Sequence, residues 1–275
     1  MARTFRNPDL DIQDIIYTTF MPISKNKIKQ IHSLEQKKFR TLYKSFIAEG
    51  TKCVNELLKE GFHASTIIST EDWHCPTPSR IPDDYIIVSD DELRKASLLQ
   101  HPQQVLGVFA IPEMPQDINV NDIAHNELCL CLDGVQDPGN LGTIIRTADW
   151  FGIRNIFCSP NTADAYNPKV VQATMGSIAR VNIYYTDLVE MLHSLQSDVP
   201  VYGTLLDGEN LYDTELSRNG IIIMGNEGNG VSTDVRQLLT HKLLIPPYPV
   251  ETESAESLNV SIATAIICAE FRRRC

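Results

Sequence analysis

The sequence predicts an α/β protein in two parts: a mainly parallel sheet in the C-terminal part, preceded by a smaller unit of alternating helices and strands. Three observations carry that expectation. From residue 128 onward, short apolar runs rich in β-branched residues alternate with helical periods, the pattern of βαβ units. Leu128-Cys129-Leu130-Cys131-Leu132 is apolar at every position and ends in Asp133-Gly134, as a strand covered on both faces must be. Finally, 275 residues exceed one ordinary core, and a polar stretch at 112–126, with Pro112 and Pro115, offers a linker between two units.

The elements follow in order. Ile28, Ile31, Leu34 and Phe39 give a helical period, and a second helix after Gly50 carries Val54, Leu57 and Leu58 up to a stop at Gly61. Strands are expected at 66–68, 85–88 and 105–111. Beyond the linker come a strand at 128–132, a helix at 141–151 stopped by Gly152, a strand at 155–159, a helix at 168–179 and a strand at 181–185. A helix at 187–196 precedes strands at 201–205, 221–224 and 243–245, and a last helix covers 258–273. The units are placed at 1–118 and 126–275.

Composition narrows the function. Lys+Arg 24 against Asp+Glu 35 gives a net charge of −11, with 43% hydrophobic and 21% charged residues, which excludes disorder and a wholly basic nucleic-acid coat. The longest apolar run, 262–269, is far too short for a membrane span, and no apolar stretch follows Arg3 and Arg6 to make a secretory signal. The seven cysteines, at 53, 75, 129, 131, 158, 268 and 275, lack zinc-ligand spacing and read as reduced thiols of a cytoplasmic protein without metal. Charge is uneven, however: residues 1–52 carry ten Lys/Arg against five Asp/Glu. The dense stretch holds Lys25, Lys27, Lys29, Lys37, Lys38, Arg40 and Lys44, and reads either as a solvated helix face or as a phosphate-contacting patch. Arg272, Arg273 and Arg274 are expected to complement a helix dipole.

Chemistry is expected at three segments that follow buried strands, because α/β sheets bind ligands at the carboxyl ends of their strands. They are 133–142, leading into a helix that bears Arg146, then 224–230, and the pair Ile245-Pro246 with 257–261. The glycine spacing is not that of a dinucleotide fingerprint, and no P-loop, nucleophile elbow or His-Glu-x-x-His occurs. Taken singly, each segment reads as a turn; Asn140, Arg146, Glu227 and Asn259 beside buried runs favour a site.

The string 140–148 (Asn-Leu-Gly-Thr-Ile-Ile-Arg-Thr-Ala) resembles the first motif of the SpoU/TrmH family of RNA ribose 2′-O-methyltransferases. Residues 221–231 resemble its second motif, and Ile245-Pro246 with 257–263 its third, although Pro247 stands where methionine is usual and the gap is longer, with Tyr248, Glu251, Glu253 and Glu256 in it. The N-terminal part, through 24–27, 46–50 and 104–109, resembles the family's substrate-binding domain. The resemblance implies the SPOUT fold with a deep trefoil knot and a small α/β/α N-terminal module. It further implies a homodimer acting on RNA (ribosomal favoured over transfer RNA) and S-adenosylmethionine as cofactor. By position it places Gly225, Ile245 and Leu258, with Thr204 as a further candidate, against that cofactor, and Arg146, Asn140, Glu227, Ser257 and Asn259 in the catalytic site.

The resemblance gives Arg146 the role of general base on the ribose 2′-hydroxyl. Guanidinium resists deprotonation, which favours a bidentate clamp on phosphate or ribose instead. Asn140 and Glu227 are expected to orient Arg146, and Ser257 and Asn259 to shape the last loop. Plainer roles stand beside these: a surface ion pair for Arg146, a turn for Glu227, and helix capping for Asn140 and Ser257. A non-catalytic RNA-binding or ribosome-assembly factor is the alternative to an enzyme.

Overall fold

The computed structural model describes residues 22–115, 118–249 and 256–274. Two sheets organise them. The first has the order β1-β4-β2-β3 and is built from β1 (Ser45–Glu49), β2 (Ala64–Ser69), β3 (Tyr85–Ile87) and β4 (Val105–Ala110). β4 runs antiparallel to both β1 and β2, while β2 and β3 are parallel. The single helical period expected across 28–39 is two helices, α1 (Lys25–Ser33) and α2 (Lys37–Tyr43), separated by turns at Leu34–Gln36. α1 starts at Ser24, whose hydroxyl accepts the Lys27 N–H at 3.2 Å. α3 (Thr51–Lys59) buries Cys53, Val54, Leu57 and Leu58 against the sheet, and α4 (Asp90–Ala96) begins at the capping hydroxyl of Ser89.

The second sheet is parallel throughout, in the order β10-β8-β9-β5-β6-β7. Its strands are β5 (Leu128–Asp133), β6 (Asn155–Cys158), β7 (Asn182–Tyr185), β8 (Val201–Asn210), β9 (Gly220–Gly225) and β10 (His241–Leu244). All six residues of β5 are buried, as its unbroken apolar run requires of a central strand. Leu128, Leu130 and Leu132 face one core, with α6 (Pro138–Trp150), α7 (Pro168–Thr174) and α10 (Val260–Arg273). Cys129 and Cys131 face the other, with α8 (Leu188–His193) and α9 (Thr233–Arg236). The expected linker is only partly a linker. Within it, α5 (Val120–Asn126) also packs on this second face, and Asn121 bonds to Ser194 and Gln196.

The C-terminal arginines do more than complement a dipole. Arg272 donates to the carbonyls of Phe151 and Gly152, and Arg274 to those of Leu211, Tyr212 and Thr214, so they fasten α10 to two other segments.

The two sheets share one continuous core. Phe46 of β1 meets Tyr166, ahead of α7, with ring centroids 4.9 Å apart. Gly176, at φ +95°, lies so close to α3 that a Cβ there would stand 2.9 Å from the side chain of Glu56. Two arginines cross the same seam. Arg40 of α2, only 3% exposed, donates through Nε to Asp164 at 3.0 Å and through Nη1 to the carbonyls of Leu34 and Glu35. Arg180 holds both carboxylate oxygens of Asp149 at the end of α6, at 3.0 and 2.7 Å, and reaches Glu56 of α3 at 2.5 Å.

Candidate active site

The order of the second sheet places the site. The chain leaves β5 outward through β6 and β7, then returns on the other side through β8 and β9, so the direction of winding reverses between β5 and β9. Asp133 and Gly225 are partners in the last register of that pair, which sets their two loops side by side. A reversal of this kind leaves a crevice at the strand ends.

Each loop is locally determined. Asp137 caps α6 by accepting the Asn140 N–H at 2.8 Å, and Pro138 occupies the first turn, where its missing N–H costs nothing. The cap is thus Asp137 rather than Asn140. After β9, Asn226 and Gly230 exchange backbone hydrogen bonds of 2.9 Å, and the Asn226 side chain accepts from Gly228 and Asn229 while donating to Gly134 at 2.7 Å. A Cβ on Gly225 would lie 2.3 Å from the backbone of Gly230 and Val231, so glycine there is demanded by closure of the chain's own loop.

One chain of hydrogen bonds joins the three motif segments. Asn259, not Ser257, caps α10: its Oδ1 accepts from the N–H groups of Ser261 and Ile262 and from the Ser261 hydroxyl. That fixes the amide, so Nδ2 must donate, and it does so to Asn140 Oδ1 at 2.9 Å. Asn140 Nδ2 then donates to Glu227 Oε1 at 3.0 Å. Glu227 also accepts the N–H groups of Gln136 and Asp137, each at 3.3 Å. Partial burial pushes its carboxyl up, but hydrogen bonds from Asn140, its own N–H, Gln136 and Asp137 outweigh that and hold it below the ordinary carboxylate range.

Arg146 stands apart from this chain. It is exposed on α6 and makes no hydrogen bond or ion pair with any described residue, so neither Asn140 nor Glu227 orients it. Those two residues shape the rim, while Arg146, six residues beyond Asn140 on α6, keeps donors without a partner among the described residues. Ser257 is exposed and unbonded to any described residue. Ile245 packs partly into the core, Leu258 is 49% exposed one residue before the cap, and Thr204 is occupied with the Ile223 carbonyl at 3.0 Å. In the ladder of β8 with β10, Gly203 pairs with Lys242 and Glu209 with Leu243, which loops out residues 204–208. Glu251 and Glu253 of the long third-motif gap lie outside the described residues, and Tyr248 is fully exposed at its edge.

Sequence reasoning missed Asp133, Asp137 and Asn226. An Asp-Pro pair opening a helix and an asparagine inside a glycine-rich turn were the available signals. A cavity of about 530 Å³ lies apart from the rim, between Ile111, Met114 and Ile118 and the aromatic residues Phe157, Tyr184 and Tyr185. The rim itself is open, with Gln136, Asp137, Glu227 and Asn259 exposed. No group of His, Cys, Asp or Glu among the described residues is arranged to hold a metal ion.

Comparison with known proteins agrees with this geometry. The SpoU rRNA methylase family model matches residues 127–269, and the MRM3-like substrate-binding domain matches 25–107. The 23S rRNA (guanosine(2553)-2′-O)-methyltransferase RlmP of Bacillus subtilis is 32% identical over 90% of this chain and 96% of its own. A solved TrmH-family structure from Porphyromonas gingivalis is 38% identical, covering 92% of this chain and 99% of that one at a TM-score of 0.81. An AdoMet-bound rRNA methyltransferase from Sinorhizobium meliloti is 31% identical, covering 91% and 95%, at a TM-score of 0.78. The chain belongs to the SpoU rRNA methylase family.

Proposed function

We propose that this protein transfers a methyl group from S-adenosylmethionine to a ribose 2′-hydroxyl of structured RNA, with ribosomal RNA favoured over transfer RNA. The observation that carries the reading is the bond chain Asn259–Asn140–Glu227, which locks the three motif segments together at the β5–β9 reversal and leaves Arg146 free next to it. The residues fit the cofactor. Apolar Leu258 and Ile262, about half exposed at the start of α10, form a shelf for a flat base, and the rim supplies backbone and amide groups for a polar tail. Bound there, S-adenosylmethionine supplies a methyl on a sulfonium. Gly225, Ile245 and Leu258 line its place, with Ser257 beside them.

The chain's own contribution is placement. The Arg146 guanidinium presents parallel donors suited to an RNA phosphate or a ribose oxygen, so it clamps the nucleotide with the 2′-hydroxyl aimed at the rim. The proton of that hydroxyl passes to phosphate or water, since a guanidinium offers donors and no acceptor. Glu227, ionised and saturated with donors, holds the loops in position and takes no proton.

Further parts of the reading have their own support. A homodimer accounts for the exposed Trp150 (85%) at the end of α6, which packs beside α10. A trefoil knot suits a chain that leaves β10 at one edge of the sheet and returns to dock Asn259 on the central rim. The described cysteines are all free thiols, in keeping with the cytoplasm. Lys25, Lys29, Lys37 and Lys38, exposed and without ion pairs among the described residues, hold the RNA from the N-terminal unit. The test is methyl transfer from labelled S-adenosylmethionine to unmodified ribosomal and transfer RNA transcripts. Label on a ribose 2′-oxygen is expected; tight RNA binding without transfer would make the chain a non-catalytic factor.

A further inference from the structure

Resting on that reading, we propose that Arg40 and Arg180 are positioning residues that fix the distance between the RNA-holding face and the methyl-transfer rim, and so decide which ribose is modified. α2 has two sides. One presents Lys37 and Lys38 to solvent, and the other drives Arg40 into the seam onto Asp164, in the loop between β6 and α7. The cations that hold RNA are therefore fastened to the methyl-transfer unit by their own helix. On the other side of the seam, Arg180 grips Asp149, three residues beyond Arg146 on α6, and Glu56 on α3. The two arginines thus connect both ends of the RNA path through guanidinium–carboxylate links.

Units within one chain move against each other by default, unless their interface is extensive and apolar. Here the seam is largely apolar, with Phe46 on Tyr166 in the shared core, the Cys53 thiol adds a hydrogen bond of 3.6 Å to the Val171 carbonyl, and Gly176 permits a closer approach than any side chain would. Apolar packing alone tolerates sliding. Directional bonds resist it: Arg40 is fixed by donors to Asp164 and to the carbonyls of Leu34 and Glu35, and Arg180, held on both oxygens of Asp149, sends its remaining Nη1 to Glu56. Buried ion pairs contribute little net stability compared with apolar replacements, and registry is their best-attested use. An RNA held at one end by α1 and α2 and clamped at the other by Arg146 is measured off by a rigid body. A misplacement of about 1 Å costs roughly 10²-fold in rate at the original ribose, and a seam loose enough to shift by a whole nucleotide step lets a neighbouring ribose compete.

The experiment uses the full chain, saturating S-adenosylmethionine and an unmodified transcript of large-subunit ribosomal RNA, with 2′-O-methyl positions mapped and kcat and KM measured. The unsubstituted protein is expected to modify one ribose. Arg180→Ala should spread methyl over adjacent riboses and lose about 10- to 100-fold in kcat/KM at the original one. The affinity for S-adenosylhomocysteine should stay within about twofold, and Arg180→Lys should restore part of the selectivity. Glu60, just beyond α3, also lies 3.9 Å from Arg180, so Glu56→Gln with Glu60→Gln, which cuts the arm that crosses the seam and leaves Asp149 in place, should reproduce the spread. Asp164→Asn should do the same from the Arg40 side, where replacing the buried arginine itself risks the fold. A lowered Tm with an unchanged site distribution in these variants would overturn the inference alone. Absence of transfer by the unsubstituted chain would overturn the reading beneath it as well.

Discussion

The rim and the seam are both joined by side chains that reach far along the sequence, across 87–119 residues at the rim and 124 at the seam, yet by different chemistry. At the rim the links are two amides and a carboxylate, each with one possible direction once Asn259 caps α10. At the seam they are arginines on carboxylates. The difference shows how a chain of net charge −11 allots its cations. Arg40 and Arg180 are engaged in holding the units together. Arg146 has no carboxylate partner among the described residues, and the rim loops are fixed by amides and a carboxylate that bond to one another instead.

The sharpest way to break the comparison is Arg146→Ala. Methyl transfer should fall by about 10³-fold, or roughly 4 kcal/mol of transition-state stabilisation, with S-adenosylhomocysteine affinity and Tm nearly unchanged. Turnover and calorimetric titration check it, and half-retained activity would end the clamp role. Next in size is Gly225→Val. The new side chain meets backbone at 2.3 Å, so the loss should fall on the loop itself, on the order of 3 kcal/mol and a Tm lower by about 6–12 °C, together with lost cofactor binding. A folded variant of normal Tm and normal affinity would contradict this.

Glu227→Gln tests the rim more gently. It keeps the shape but removes a charge that accepts from Asn140, Gln136 and Asp137 among others, and the site is open enough that screening limits the cost to about 1 kcal/mol. The sign with pH is definite. The folded carboxyl lies below its ordinary 4.5, so its contribution is complete above that value and is lost as pH falls through the lower folded value. Acid unfolding curves of the substituted protein should therefore be flatter in that window. The smallest effect is expected from Lys37→Ala with Lys38→Ala, which should lower the salt dependence of RNA binding by up to about 0.7–0.9 in log–log slope per contact and leave Tm alone. Arg40 does not belong in that set, because removing it would unfasten the seam.

How much of this was legible in the sequence follows the same division. Continuous apolar runs such as Leu128–Leu132 announce central strands, because burial on both faces leaves no room for alternation. β1 went unread as a strand: five residues of mixed pattern suit a helix as well as a strand, and pairing with β4, sixty residues away, decides. α5 was hidden by the polarity of the stretch around it. At the rim, residue types and order located Asn140, Glu227 and Asn259, but not which would cap and which would link, since that depends on atoms brought together across the sheet. Arg40 was read with its neighbouring lysines because charge along a sequence does not record which side of a helix faces a carboxylate.

The Asn259 link also sets a clock. Asn140 and Asn259 are 119 residues apart, so at roughly 5–20 residues per second Asn140 is synthesised about 6–24 s before its partner exists. During that interval Glu227, once made, can meet Asn140, but nothing fixes the outer amide, and α10 has no start. The lysine-bearing helices, by contrast, are complete early. A growing chain can therefore complete its N-terminal unit well before its rim, and the bond between two asparagines marks the moment when the rim is assembled.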